Sequence, residues 1–262
     1  MSSRELGLVL AQQLLDVEDL HYGLWDDDLD VSLGNIALAQ QRYTDLLLEW
    51  LERLTPNRPA PCLLDVGCGT GHLLQQLLEQ GYRADAVNPS VALNALVRER
   101  LARLPACSAT LFETTFESLP FQQLQQHYDV LLFSESFQYI PLPVILSRVP
   151  GLLRPGGQLL ICDFFKTAAH CDGEDGDRSF SGGHVLADFY QAVEKSAFHI
   201  RHDEDLTDRV SPNIALLDEW LTQRLHPALL SIDDYLLGAY PKLTRLIKWL
   251  ARHKLARARY KY

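Results

Sequence analysis

Apolar and polar positions change rhythm twice along this chain. Residues 6–20 carry Leu8, Leu10, Leu14 and Leu15 among their apolar positions, which predicts a short amphipathic helix. The acidic, aromatic segment HYGLWDDDLD follows, and a longer helix is predicted over about Ala37 to Leu54, ending before Pro56. A polar, Pro-containing linker, Thr55 to Pro61, then separates the helices from a different pattern. From Cys62 to Phe165 the short apolar runs CLLDV, ADAV, ATLF, YDVLLF and QLLICDFF read as strands. The segments between them, QQLLEQ, VALNALVRERLARL and VILSRVPGLL, read as helices. Repeated strand-then-helix order implies α/β architecture: a doubly wound, mainly parallel sheet with helices on both faces.

After Lys166 the Gly/Asp-rich stretch HCDGEDGDRSFSGG reads as an exposed loop and candidate lid. A helix is predicted over roughly Val185 to Ser196, FHIRHD is a candidate strand, and SPNIALLDEWLTQRL and most of the tail are expected to be helical. The chain is expected to form one domain. Residues 1–55 are its helical N-terminal cap, 56–165 its core, and 166–262 a mostly helical C-terminal extension.

The formal net charge of -10 disfavours a nucleic-acid partner. Five cysteines without a CxxC pair indicate neither a disulfide framework nor a zinc site, and no metal is expected. The N-terminus lacks the pattern of a signal peptide, and no apolar run reaches the roughly 18–20 residues that span a bilayer. A cytoplasmic location is therefore expected. The balance of charge is uneven, because eight Lys or Arg and no Asp or Glu occur from Lys242 to the end.

The chemistry concentrates in Leu63-Leu64-Asp65-Val66-Gly67-Cys68-Gly69-Thr70-Gly71-His72. A buried strand runs into three alternating glycines and then a helix. Glycines let the backbone approach a ligand closely, and a helix N-terminus offers free amides. The site falls at the carboxyl end of the first strand, where open α/β sheets bind ligands. Dinucleotide enzymes use GxGxxG, whereas this chain has GxGxG.

LLDVGCGTG resembles the signature of class I S-adenosylmethionine-dependent methyltransferases. YDVLLFSESFQYIP and LLRPGGQLLICDFF resemble that superfamily's fourth-strand and fifth-strand motifs, in the expected order. Together the matches cover about 110 residues. The resemblance implies a Rossmann-like fold, S-adenosyl-L-methionine as cofactor and a small-molecule acceptor. Asp65, Gly67, Cys68, Gly69 and Gly71 would form its methionine-side cradle. Asn88 and Pro89 end the second strand where family members usually place an acid on the ribose hydroxyls. An amide replaces that acid, so Asn88→Asp is expected to preserve or strengthen binding. Thr115 stands where an acid often meets the adenine amino group. Phe116 either lines the adenine pocket or belongs to the core. Ser134 and Glu135 end the fourth strand, beside the expected methionine part.

The stretch from Glu135 to Pro141 resembles methyltransferases of sugars, tocopherols and similar natural products. Some of those carry a histidine where this chain has Gln138. Asp163 matches an acceptor-side acid of that group. His170 and His184 flank the Gly/Asp-rich loop and are candidate bases, each with a structural reading beside it. Tyr22 and Trp25 resemble the group's aromatic cap over the sulfonium, with a hydrophobic plug as the alternative. Asp26, Asp27, Asp28 and Asp30 read as a solvated acidic turn.

Three other functions are weighed. Cofactor binding without turnover is suggested by Asn88 and Thr115. A dehydrogenase is disfavoured by the glycine spacing, and an aminopropyltransferase by the lack of an acidic polyamine signature. In the tail, residues 240–262, Leu243, Leu246, Ile247 and Leu250 recur at helical spacing among Lys242, Arg245, Lys248, Arg252 and Lys254. This basic amphipathic helix packs on the protein or makes weak contact with an anionic membrane surface. The sequence does not specify an oligomeric state.

Overall fold

The computed structural model describes residues 17–56, 58–104, 109–167, 183–242, 244, 245 and 248. The described residues fall into two compact units, one comprising those up to Asp30 with Gly34–Val210, the other Val31–Leu33 with those from Ser211 on.

The first unit is built on five parallel strands: β1 (Cys62–Val66), β2 (Arg83–Val87), β3 (Leu111–Phe112), β4 (Tyr128–Ser134) and β5 (Leu153–Cys162). Their spatial order is β3-β2-β1-β4-β5, so the winding reverses at β1. Asp65 lies level with Ala86 of β2 and Leu132 of β4, which places its strand at the centre of the sheet. All five residues of β1 are buried, as a strand covered on both faces requires.

Alternate residues of the strands feed two cores. On one face α1 (Ile36–Leu54), α2 (His72–Glu79) and α3 (Val91–Arg103) meet Leu63, Val130 and Leu132. Helix α1 packs through Ala39, Tyr43, Leu47 and Leu51, which recur every four residues and are buried. Burial of each such Leu side chain stabilises the fold by about 2 kcal/mol. Thr55 ends the helix by donating from Oγ1 to the Leu51 carbonyl at 2.7 Å, just before Pro56. On the other face α4 (Leu142–Leu152) and the following α5 (Leu186–Glu194) cover Leu64, Val66, Leu131 and Phe133. A short parallel pair, β6 (Phe165–Lys166) and β7 (His184–Val185), sets Phe165 level with His184.

Two expected elements differ. Val17 to Leu20, the described end of the segment expected to be an N-terminal helix, is not helical. Its backbone hydrogen bonds go to side chains of the core instead, as described below. FHIRHD forms no strand. Ile200 is 47% exposed, and no sheet edge pairs with the segment.

A four-residue helix, α6 (Thr207–Val210), closes the first unit. In the second unit α7 (Pro212–Trp220) continues through a π-helical turn, Leu221–Leu225, into α8 (His226–Ala239). Thr244 donates from Oγ1 to the Leu236 and Tyr240 carbonyls at 2.9 Å, and Lys248 pairs with Asp233. Leu243, Leu246, Ile247 and Leu250, the apolar residues named for the tail helix, lie outside the described residues, as do Arg252 and Lys254. No helix among the described residues is long and apolar enough to cross a membrane.

Candidate active site

The carboxyl end of β1 turns sharply at Gly67, whose N–H donates to the Val87 carbonyl at 2.8 Å. Gly67 has φ +84°, and a Cβ there would stand 2.5 Å from Ser136 Cβ. Its lack of a side chain therefore serves the packing of the β4 loop, which Ser136 further ties down by donating to the Val66 carbonyl. Gly69 differs. Its φ is +55°, and a Cβ would meet no atom of the described residues within 4 Å. Gly69 borders open space, as a cradle for a ligand requires. Cys68 is a buried free thiol within this loop, and its carbonyl accepts from Gly71 N–H at 2.8 Å.

Asp65 lies in β1 two residues before the loop, only 2% exposed, and among the described residues its Oδ2 has no hydrogen-bond partner. Burial, reinforced by the nearby Asp19, pushes its carboxyl up to about 7. A buried carboxyl with a free oxygen calls for a proton or a cation. The α-ammonium group of an amino-acid cofactor would meet that requirement.

Segment Val17–Trp25 is bound across this end of the sheet as a strap. Thr70 Oγ1 donates to the Glu18 carbonyl at 2.7 Å, and Gln40 Nε2 donates to the His21 carbonyl at 2.7 Å. Gln76 Nε2 donates to His72 Nε2 at 3.2 Å, which leaves His72 Nδ1 to donate to Asp19 Oδ2 at 2.7 Å. His21 Nε2 lies 3.5 Å from the same oxygen, and the ring stacks on Tyr43 at 4.5 Å. Burial opposes the ionisation of Asp19, but hydrogen bonds from His21 and His72 outweigh it and hold the carboxyl well below the usual range. Burial likewise opposes a charge on His21, but Asp19 prevails and raises its pKa.

Tyr22 N–H donates to Glu135 Oε1 at 2.8 Å, and the Tyr22 ring meets Phe164 edge-on at 5.1 Å. Glu135 has φ +51°, an uncommon conformation for a side-chain-bearing residue. Its N–H donates to the Cys162 carbonyl at 2.9 Å, which fixes it between β4 and β5. Burial pushes its carboxyl up to about 7. Ser134 Oγ lies 3.2 Å from the Tyr43 hydroxyl. Trp25 is 4% exposed, and among the described residues its Nε1 has no partner. Asp26 pairs with Arg209 at 2.7 Å, and Asp28 binds Arg42 at 2.9 Å, so these acids are held in ion pairs. Among the described residues no group of three or more His, Cys, Asp or Glu is arranged to hold a metal.

At the end of β2, Asn88 is 4% exposed and hydrogen-bonded at both ends of its amide. Nδ2 donates to the Gly69 carbonyl at 3.1 Å, and Oδ1 accepts from Ser90 N–H at 3.2 Å. It braces the glycine loop. Pro89 is exposed beside it. Thr115 is exposed and donates to Ser118 Oγ at 3.2 Å. The Phe116 ring lies in the core, 3% exposed, edge-on to Phe121 at 5.6 Å and Phe133 at 5.8 Å.

Asp163 and His184 converge on the turn after β4. Asp163 Oδ2 accepts from Gln138 N–H at 3.1 Å, and its Oδ1 accepts from Phe164 N–H at 2.7 Å. Burial pushes Asp163 up to about 6 despite those bonds. His184 Nε2 donates to the Phe137 carbonyl at 3.2 Å, which leaves Nδ1 as its proton-accepting nitrogen. His170 lies outside the described residues. Asp19, Gln40 and Tyr43 were not singled out from the sequence, and His21 and His72 stood there only as parts of the aromatic segment and the glycine motif.

A methyltransferase domain family matches residues 38–206. Trans-aconitate 2-methyltransferase of Deinococcus radiodurans is 30% identical over 112 residues, 42% of this chain and 41% of that protein. The 27-O-demethylrifamycin SV methyltransferase of Amycolatopsis mediterranei is 25% identical over 205 residues, 75% of this chain and 72% of that protein. The chain spans about half the length of several other curated relatives it matches, 48–51%. Among solved structures, geranyl diphosphate C-methyltransferase from Streptomyces coelicolor superposes with a TM-score of 0.64 at 18% identity, covering 76% of this chain and 79% of that one. That likeness establishes the fold. Taken with the glycine loop and the Rossmann-like sheet, the match over residues 38–206 means that this chain belongs to the methyltransferase domain family.

Proposed function

We propose that the protein transfers a methyl group from S-adenosyl-L-methionine to a small, largely apolar acceptor, with oxygen as the favoured receiving atom. The observation that carries this reading is the open cradle at Gly69, with the Asp65 oxygen, unpartnered among the described residues, in the central strand that leads into it. When bound, the cofactor supplies an electrophilic methyl group on a sulfonium. In this reading the Gly67–Gly71 loop and Asp65 hold the methionine part, and the strap with Tyr22 and Trp25 excludes water from it. Glu135 and Ser134 border the reacting end. The acceptor enters from the side of Asp163, Tyr22, Phe164 and His184.

Transfer to an acceptor hydroxyl forms an oxygen–carbon bond as the sulfur–carbon bond breaks. The hydroxyl proton goes to a base, and Asp163 or Nδ1 of His184 is the candidate. Alignment and desolvation supply most of the acceleration. The 27-O-demethylrifamycin methyltransferase supports an oxygen acceptor by its name.

The test is methyl incorporation from labelled S-adenosylmethionine into small molecules of a cell extract, with release of S-adenosylhomocysteine. Labelled small product is the expected outcome. Binding without product would favour the second reading, a cofactor-binding protein without turnover. That reading draws support from Asn88, whose amide is already hydrogen-bonded at both ends.

A further inference from the structure

We infer that Glu135 makes the site select the cationic form of its cofactor over the neutral form, so that affinity falls when the methyl group leaves. This rests on the methyltransferase reading. Methyl transfer leaves the bonding electron pair on sulfur and turns a sulfonium into a thioether. The methionine ammonium and carboxylate stay unchanged. Any preference between the two forms must therefore come from groups near the sulfur.

The strand order brings three carboxyl groups to one edge of the sheet. Asp65 ends β1, Glu135 follows β4 and Asp163 follows β5, with β4 paired to both neighbours. Asp65 is 2% exposed, and among the described residues its Oδ2 has no partner. It lies two residues before the glycine loop, where it suits the ammonium that both forms share. Glu135 lies one strand nearer the acceptor side. Its backbone is fixed to Cys162, and its Oε1 is held by Tyr22 N–H. Gln138 and Phe164 backbone groups hold Asp163. His72 faces Asp19, whereas His21 bears on both Asp19 and Glu135 and offsets part of the Glu135 charge.

The other half of the cradle is neutral. Asn88 replaces a carboxylate, and Thr115 is exposed and bonded to Ser118. The neighbouring acid Glu113 is paired with Arg98. Charge recognition is thus concentrated at the methionine end, where the reaction removes a charge. Burial holds both Asp65 and Glu135 near 7, so facing a cation relieves each of them. The neutral product is released readily and inhibits weakly.

Calorimetric titration of S-adenosylmethionine and S-adenosylhomocysteine tests this on the wild type and on Glu135→Gln, which keeps an acceptor for Tyr22 N–H. The wild type is expected to bind S-adenosylmethionine about tenfold more tightly, the size of one charge-assisted contact. The variant is expected to lose about that factor for S-adenosylmethionine and to hold S-adenosylhomocysteine within about threefold. Equal or tighter wild-type binding of S-adenosylhomocysteine, or equal weakening of both in the variant, would overturn the inference alone. Binding of neither ligand to the wild type would overturn the methyltransferase reading with it. Should Glu135→Gln not fold, the wild-type ratio at pH 6 and pH 8 decides. It is expected to widen as Glu135 ionises and His21 loses its proton, and a constant ratio would overturn the inference.

Discussion

His72 Nδ1 donates to Asp19 Oδ2 at 2.7 Å across 53 positions of sequence, and that bond joins the N-terminal strap to the first turn of the helix after the glycine loop. Asp19 is buried and shared between two histidines. Removing one partner of a buried charge network costs about 3 kcal/mol. Asp19→Ala is expected to lower unfolding free energy by that amount in urea titration and to weaken cofactor binding at least about tenfold. Wild-type stability in this variant would mean that the strap is not held by its charge.

Gly67 and Gly69 are expected to fail for different reasons. Gly67→Ala drives a Cβ into Ser136 and imposes a left-handed backbone on a side-chain-bearing residue, a combined cost of about 3 kcal/mol. Ser136→Gly in the same chain should recover the steric part. Gly69→Ala incurs only the backbone cost, about 1 kcal/mol, because its Cβ meets no atom of the described residues. Melting curves and cofactor titration separate the two. Gly69→Ala should remain folded yet lose cofactor affinity.

Asn88→Asp reverses an expectation drawn from the sequence. A carboxylate at this position suggested equal or better ribose binding. The amide, however, donates to the Gly69 carbonyl at 3.1 Å, and a carboxylate would set two acceptors against each other. The variant is expected to lose about 1–3 kcal/mol of stability and to gain no affinity. Tighter cofactor binding with an unchanged melting temperature would restore the earlier expectation.

Stability should depend on pH in a defined direction. Asp65 and Glu135 have pKa values raised to about 7 in the folded chain, above their unfolded values of 3.8 and 4.5. The folded state therefore binds more protons than the unfolded state through that interval, and stability falls as pH rises from about 4 to about 7. The raised pKa of His21 acts in the same sense at higher pH, because its contribution is complete below 6.5 and is lost above it. The protein without cofactor should melt several degrees lower at pH 8 than at pH 5.5. Added S-adenosylmethionine should narrow that gap, and Glu135→Gln should reduce it, with Asp65 and His21 keeping the remainder. A melting temperature that rises over this range in the wild type would contradict the burial of these carboxyls.

The sheet was legible because each strand is a short apolar run followed by a turn and a helix, and β1 ends in glycines whose spacing has few other uses. The strap was not. Asp19 and His72 meet only through the tertiary fold, and no local pattern encodes a contact between residues so far apart. Phe116 could not be assigned from its neighbours, since a ring beside a binding loop suits a pocket and a core equally. Its contacts with Phe121 and Phe133 decide for the core. The extended Val17–Leu20 misleads for a related reason: helical spacing of leucines ahead of it predicts a helix, but the hydrogen bonds of Glu18 and Asp19 go to Thr70 and His72.

The central claim is that the opening at Gly69 is where S-adenosylmethionine binds. Calorimetric titration of that compound into the wild type and into folded Gly69→Ala tests it most directly. One-to-one binding to the wild type, weakened at least about tenfold in the variant, is the expected result. No binding to the wild type, or equal affinity in the two proteins, would contradict it.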